Sequence, residues 1–460
     1  MFGNIVQTFT NCFRIPELKS RIWFTVLLLA VCRLIAYVRV PWLDGAIIAD
    51  AFNKVGGGGG LMGMANMFTG NAILHGSVGA LGIMPYISAT IIIQLLTAVV
   101  PTLSKLAREE GGRAKIIQYG RYLTVLLCIV QGGAMAFGWE RPGSLYNQGN
   151  MGQLVLVSPD NIWWYRIGTV ILLTTGTMLL MWLGEQITER GIGNGVSLVI
   201  TIGIVSRLPV AAGQVWRLFF PQGGVQATFN IGHGAALLLL LLGVIAGVIA
   251  VTQAQRKIPV QYAQRAVGRK MYSGGTSFMP LRVNYAGVMP VIFASAILTF
   301  FGMIASRVAD WTKLGLFQQI NIALSRGTGL YIAVFGLMIL AFSYFWVATQ
   351  FNEIQIADDL KKNGGYIPGV RPGIPTSDFL HNTMSRITLA GALILTLIAV
   401  IPIVMQNVLN IPPDVADFFG GTTILITVGV MLDTMRQIES HLMMRNYDGF
   451  LKKGKIRGRL

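Results

Sequence analysis

Charged residues are scarce in this sequence. Only 12% of its residues are Asp, Glu, Lys or Arg, while 53% are hydrophobic. A typical soluble domain has about 25% charged residues. No charged residue at all lies between Lys54 and Lys105. These features exclude an ordinary soluble domain and indicate a membrane protein.

Groups that carry chemistry are scarce as well. The three cysteines, Cys12, Cys32 and Cys128, show no paired spacing, which argues against a disulfide framework or a cysteine-based metal site. The sequence contains no Walker-type phosphate loop, no metal cluster and no nucleophile–base set. Residues 1–20 are mostly polar and predict no cleavable signal peptide. We therefore expect neither an enzyme nor a cofactor.

Long apolar windows are what the sequence has in abundance. A helix needs about 20 apolar residues to cross the bilayer core. The windows predict an all-α integral membrane protein with ten transmembrane helices. The ten spans lie near 22–40, 82–100, 118–138, 164–183, 192–207, 235–254, 284–305, 328–349, 384–403 and 419–435.

The basic residues predict the orientation of these spans. With the N-terminus inside, the inner segments hold 26 Lys and Arg and the outer segments hold 8. Because cytoplasmic loops carry the excess of basic residues, both termini are expected in the cytoplasm. The net charge of +17 then forms a cytosolic face. For any single Lys or Arg, setting topology is an alternative to binding a partner.

Ten spans divide into two halves of five. The predicted domains are 1–206, an external hinge loop at 207–233, and 234–460. An odd number of spans per half makes the halves inverted relative to each other, as in many channels and transporters with a central site.

The segment ahead of the second span predicts a re-entrant element. It begins with the run Gly56–Gly60, continues through a small-residue stretch at 66–75, and leads into the long apolar helix from Gly82. Such backbone is tolerated at membrane depth only where it is buried in protein or lines a cavity. We expect it to enter from outside and stop.

Two predicted cytosolic loops are long enough to have a function. Loop 256–282 alternates apolar and polar residues and turns at Gly274–Gly275, which predicts a β-hairpin. Loop 352–386 carries a Pro- and Gly-rich tip at 364–373. That composition stops a helix and predicts a stiff, turn-rich structure.

The membrane interior has almost no ionisable residues. Arg33 is the only one well inside a predicted span. Ion-coupled transporters generally carry acidic or His residues near mid-membrane. Their absence favours a passive channel, with an ion- or proton-coupled secondary transporter of small solutes as the alternative.

Two uncharged polar residues lie at depth, Gln94 in the second span and Asn194 in the fifth. Each has two interpretations that we leave open. It either holds a gate between helices or makes a routine interhelical hydrogen bond, worth about 1 kcal/mol or less.

Several isoleucines lie near the predicted middle of their spans. They are Ile83, Ile87, Ile200, Ile292 and Ile426. A ring of branched apolar side chains can close a pore by dewetting. For any one of them, packing against lipid or a neighbouring helix is the simpler explanation, since most apolar residues in a span merely pack.

Four motifs resemble the SecY family of protein-conducting channels. The stretch at 80–96 is similar to the family's second span, and 182–197 to its entry into the fifth span. Residues 284–295 are similar to the seventh span, and the tip 368–373 to a loop motif. The resemblance covers about residues 15–455.

This resemblance implies an hourglass of two halves that passes unfolded polypeptides and releases membrane helices through a lateral gate. It implies a short plug helix at about 61–78, and the five isoleucines as the constriction ring. The implied plug residues are Met64, Asn66, Met67, Phe68 and Gly70.

The lateral gate is implied between spans two and three and spans seven and eight, with Gln94 and Ser295 as candidate residues. The two long loops are implied as docking sites. The candidate docking residues are Arg256, Lys257, Tyr262, Arg265, Arg269, Lys270 and Arg371.

The family also implies partners and a location. The partners are the small membrane subunits SecE and SecG, the SecA motor ATPase, the ribosome, signal sequences, nascent membrane proteins and the lipid bilayer. The location is the bacterial inner membrane. For Arg371, the alternative to docking is that it is one more charge that sets topology.

Overall fold

The structure of the protein is a computed structural model. It describes residues 15–44, 48, 66, 68–109, 111–140, 155–157, 161–220, 231–262, 265–267, 270–272, 276–312, 319, 327–408, 415–416 and 422–453. The chain forms two compact units. The first consists of Met1–Arg217 and Val430–Leu460, and the second of Leu218–Gly429.

Helices dominate the first unit. They are α1 (Pro16–Ile35), α2 (Met84–Val99), α3 (Pro101–Arg108), α4 (Gly112–Glu140), α5 (Ile162–Arg190), α6 (Gly195–Val205) and α7 (Leu208–Phe219). Prolines stand in the first turn of α1, α2 and α3. Proline suits this position because its missing N–H would have no helical partner there.

The second unit combines helices with short strands. They are α8 (Ile231–Gln253), β1 (Gln255–Tyr262), β2 (Arg265–Val267), β3 (Lys270–Tyr272), β4 (Thr276–Arg282), α9 (Met289–Thr312), α10 (Gly329–Gln350), α11 (Glu353–Lys362), β5 (Gly365–Tyr366) and α12 (Ile374–Val408). A last helix, α13 (Thr422–Lys453), begins in the second unit and enters the first at Val430.

Each of the ten predicted spans overlaps a helix. Among the described residues, six helices are long and apolar enough to cross a bilayer, and a seventh counts if α2 and α3 form one broken span. These two helices meet at 103°. The break falls at Val100, because the following Pro101 disfavours helical backbone in the residue before it.

Several predicted boundaries were wrong. The first span ends at Ile35 rather than near residue 40, because residues 38–40 pair with another segment. The helix of the ninth span, α12, begins at Ile374, ten residues early, and α13 runs on to Lys453 past Asp433. The predicted external loop 207–233 contains the helix α7.

Two ion pairs join α4 and α5. Arg121 bonds Glu185 through two contacts of 3.2 and 2.7 Å, and Arg166 bonds Glu140 through two of 2.7 and 2.8 Å. Because each Arg presents two parallel donors to one carboxylate, the pairs fix geometry as well as charge. They hold the register of the two helices.

The predicted hairpin in loop 256–282 is confirmed. Strands β1 and β4 pair antiparallel from Gln255 opposite Arg282 to Gln261 opposite Thr276, and β5 adds to the other side of β1. Ile258 and Val260 are buried, as the alternation predicted. The predicted turn at 274–275 lies outside the described residues.

Candidate functional site

The segment that leads into α2 is built of turns. Asn66, Phe68 and Thr69 are helical, and consecutive turns then occupy 70–83, here called the turn segment. Gly70 and Asn71 have φ of 62° and 71°. Because left-handed backbone does not continue a right-handed helix, the predicted plug helix to Val78 was wrong beyond Thr69.

Backbone hydrogen bonds tie the turn segment to the end of α1. The amide of Val78 donates to Val38 O at 2.8 Å, and the amide of Val40 donates to Gly76 O at 2.9 Å. Arg39 and Ser77 form the bridge between these bonds. No local pattern in the sequence indicates this pairing, since the two short stretches are some 38 residues apart.

Two glycines allow the turn segment to approach other helices closely. A Cβ on Gly176 of α5 would lie 2.2 Å from the carbonyl oxygen of Val78, and one on Gly70 would lie 2.7 Å from Cα of Gly203 in α6. Real Cβ atoms do not come this near to backbone. The turn segment can therefore pack in this position only because residues 70 and 176 are glycines without a side chain.

Polar side chains brace the start of the segment. Asn66 is fully buried, and its amide donates to Asn71 Oδ1 at 3.1 Å. The hydroxyl of Thr69 donates to Asn66 O at 3.2 Å, and Phe68 is buried beside them. The predicted plug residues Met64 and Met67 lie outside the described residues.

A cavity of about 30 Å³ lies where the segment meets α1, α5 and α6. Its wall includes Phe68 from the predicted plug and Ile83 from the predicted ring. Arg33 and Gly203 also line it. The structure thus brings a predicted plug residue and a predicted ring residue to one cavity.

The five predicted ring residues are all buried, each at most 3% exposed. Ile83, Ile87 and Ile200 belong to the first unit, and Ile292 and Ile426 to the second. Their burial removes the lipid-facing alternative. Contact with a neighbouring helix and closure of a pore are both consistent with this burial.

The two polar residues at depth have different surroundings. Asn194 caps its own helix, because its Oδ1 accepts from the amide of Ser197 at 3.2 Å. This local bond is neither of the two interpretations offered by the sequence. Gln94 is exposed, and the hydroxyl of the buried Ser295 donates to Ile292 O in its own helix at 2.8 Å.

All four of the predicted docking residues with described side chains lie at the surface. Arg256, Lys257 and Arg371 are exposed, and Tyr262 is 39% exposed. Arg265 and Lys270 lie on β2 and β3. Arg269 lies outside the described residues.

The tip 364–373 is anchored from below. Ile367 is buried in an apolar cluster with Leu380 and Ile258, and Val370 packs against that cluster. The hydroxyl of Thr376 donates to the carbonyl oxygen of Arg371 at 2.8 Å. We call β1, β4, β5 and this tip the strand platform. It presents Arg371 outward on a fixed backbone.

The sequence singled out Arg33 but not its contacts. Its guanidinium donates through Nη1 to the carbonyl oxygen of Gly70 and through Nη2 to the hydroxyl of Tyr37 at 3.1 Å. The sequence indicated only that a lone arginine in an apolar helix needs a polar partner, without indicating which one. Among the described residues, no group of His, Cys, Asp and Glu could hold a metal ion.

Solved structures share this fold. A protein-conducting channel superposes with a TM-score of 0.63 over 91% of both chains at 19% identity. Canine Sec61, solved in a ribosome-channel complex, superposes with a TM-score of 0.59 over 91% of both chains, also at 19% identity. The fold is therefore that of the protein-conducting channels.

Sequence relatives define the family. The SecY family model matches residues 77–435. The protein translocase subunit SecY of Chlamydia muridarum is 40% identical over 99% of this chain and 100% of its own length. That of Vibrio cholerae is 42% identical over 96% of each chain. The chain belongs to the SecY family.

Membership in this family gives the general function. The chain is a channel subunit of the protein translocase in a membrane, and it is not an enzyme. The comparisons do not support the alternative of a coupled secondary transporter, because both the relatives and the solved structures are translocation channels.

Proposed function

We propose that residues 66–78, which lie within the predicted plug at about 61–78, form the plug of this channel and that the five isoleucines form its constriction. The observation that carries the proposal is the shared cavity, whose wall includes both Phe68 and Ile83. A solved SecY structure describes a plug domain that stabilises the closed state and maintains a membrane seal.

The constriction closes by dewetting. Branched apolar side chains leave no polar group to hold water in a narrow passage, so ions and small solutes do not cross. A passing polypeptide displaces the same side chains without breaking hydrogen bonds. The buried, purely apolar character of Ile87 and Ile200 supports this role.

The ten spans are arranged in two halves, residues 1–206 and 234–460, joined by 207–233. Unfolded polypeptides pass between the halves, and signal sequences and membrane helices leave sideways past Gln94 and Ser295. The exposed side chain of Gln94 supports a contact with a substrate, because an amide exposed in a span gains from a polar partner.

The strand platform docks the partners that deliver polypeptides. Canine Sec61 and yeast Ssh1 were solved with ribosomes. Exposed basic residues suit the RNA phosphates of a ribosome and the acidic surface of the SecA motor. Arg371 on its anchored tip supports this assignment, because a rigid loop loses little entropy on binding.

The charge bias supports the orientation of the channel, and the family supports its location and its small subunits. Both termini face the cytoplasm, and the channel lies in the inner membrane, with SecE and SecG as its small subunits. The excess of 26 basic residues in the inner segments over 8 in the outer ones supports this orientation.

Reconstitution tests the function as a whole. Proteoliposomes that contain the chain with its small subunits should import a presecretory protein only when the motor and ATP are present. They should not accumulate small solutes along an ion gradient. Gradient-driven uptake of a solute, or import without the motor, would contradict the proposal.

A further inference from the structure

One charged side chain holds the segment that we propose as the plug. Arg33 lies about 26 Å along α1 from Pro16, at 1.5 Å per residue, and so near the far end of the span. Charged residues are rare and expensive inside membrane helices, and they normally have a specific partner. The partner here is the carbonyl oxygen of Gly70.

The geometry makes this carbonyl an unusual acceptor. Gly70 has φ of 62° and begins the turns that follow the helical residues Phe68 and Thr69. Carbonyl groups at a helix end have no helical donor. Because the guanidinium is ionised, its hydrogen bond is stronger than that of a neutral donor.

A second contact fixes the guanidinium in place. Its Nη2 donates to the hydroxyl of Tyr37 at 3.1 Å, one turn further along the chain. The ring of Tyr37 lies 5.2 Å from the ring of His75, which belongs to the turn segment. Arg33 is thus connected to the start of the segment directly and to its middle through Tyr37.

His75 adds no charge to this cluster at neutral pH. Burial, and the nearby charges of Arg39 and Arg33, lower the pKa of His75 from its usual value of 6.5. A neutral ring avoids repulsion with both arginines.

The two ends of the plug region are held differently. Residues 76–78 are bonded to Val38 and Val40 through backbone groups, which do not involve Arg33. Phe68 and Thr69, at the other end, instead border the cavity of about 30 Å³. Loss of the Arg33 contact would therefore free the first end and leave the second in place.

We propose that Arg33 is a latch that holds residues 66–70 in the resting position of the channel. This inference rests on the proposed plug function of that segment. Arg33 is a positioning residue. It acts on the closed state through the carbonyl oxygen of Gly70, and it is not required for the fold of the turn segment or for insertion of α1.

The test measures ion conductance of the complete channel with its small subunits in planar bilayers. Arg33→Leu removes the donor, Arg33→Gln keeps a neutral donor, and Arg33→Lys keeps the charge. Loss of a charged hydrogen bond changes an equilibrium roughly ten- to hundredfold. The resting leak should rise by that order in the Leu variant, less in the Gln variant, and little in the Lys variant.

A matched control and a deletion separate this idea from the plug proposal. Arg39→Leu removes the same charge from an exposed side chain near the same end of α1, and should leave the leak unchanged. Deletion of residues 61–70 removes the acceptor and spares the bonded residues 76–78. The deletion should leak by itself, and adding Arg33→Leu should then have no further effect.

Each outcome has a distinct meaning. If the deletion leaks and Arg33→Leu does not, the latch is overturned and the plug stands. If the deletion does not leak, the plug proposal fails and the latch with it. If Arg33→Leu adds leak to the deletion, Arg33 acts elsewhere. Should the Leu variant fail to accumulate, the Gln and Lys variants decide, and equal leaks in both would reject the latch.

Discussion

The turn segment of the first unit and the strand platform of the second are held by opposite means. The turn segment depends on the absence of side chains at Gly70 and Gly176, which leaves room for one backbone segment to approach another. The platform depends on what is present, since buried Ile258 and Ile367 anchor strands whose outer face carries exposed charge. Added side-chain volume should therefore destabilise the turn segment, whereas a changed charge should alter partner binding by the platform without unfolding it.

The largest effect on stability should come from adding a side chain where the turn segment packs against α5. Gly176→Ala places a Cβ 2.2 Å from the carbonyl oxygen of Val78, whose amide is already bonded to Val38. We expect a loss of about 3 kcal/mol, the upper end of overpacking costs. Thermal unfolding in detergent measures it.

The matched control lies on α4. A Cβ on Gly133 would meet no atom within 4 Å, so Gly133→Ala should be neutral or slightly stabilising. Equal melting temperatures for the two variants would show that the turn segment yields easily, and the contrast with the platform would then be lost.

A polar substitution sharpens the same comparison at the constriction. Ile87 is 3% exposed and Ile92, on the same helix, is 38% exposed. Ile87→Asn should wet the closed passage and raise the resting leak, because water then finds hydrogen-bond partners. Ile92→Asn should leave conductance near that of the parent. Single-channel recording checks both, and an identical response would remove Ile87 from the ring.

On the platform, reversing a charge should change binding alone. Arg371→Glu should weaken partner binding in a salt-dependent way, by about tenfold or more. The new carboxylate would repel the negatively charged partner surface that the guanidinium attracts. Melting temperature and membrane level should stay unchanged, since Arg371 is exposed. Ribosome and motor binding are measured at two salt concentrations. Lys362→Glu on α11 is the control, also exposed but outside the tip.

The smallest effect should come from loosening the tip without touching its charge. Thr376 is 2% exposed, and Thr376→Val removes the hydrogen bond to the carbonyl oxygen of Arg371 at a nearly constant volume. A single neutral hydrogen bond contributes about 1 kcal/mol, so partner binding should fall by less than about tenfold. Binding as weak as that of Arg371→Glu would mean that rigidity matters as much as charge.

The sequence predicted the spans well and their ends poorly. Apolar windows are a local property, and a helix lies over every one of the ten. Helix ends depend on which partner the next residues find. Residues 38–40 leave the first helix because they pair with the distant residues 76–78, and no local pattern reports that partner.

The same division applies to the candidate site. The hairpin and the family motifs could be recognised because strand alternation and motifs that resemble a family both lie in neighbouring residues. The cap made by Asn194 was missed, although Asn directly before an apolar helix is a favoured N-cap residue. The ring isoleucines could be named only through the family resemblance, because any apolar span offers many equivalent candidates.

By itself, the sequence determined that this chain crosses the membrane, which loops carry its basic charge and which family it belongs to. These properties follow from composition and from motifs within single segments. Only the tertiary structure decided that Arg33 meets Gly70, that Gly176 admits Val78, and that the tip beneath Arg371 is anchored. Such contacts join residues far apart in the chain, and they depend on distances of a few ångströms that no local pattern encodes.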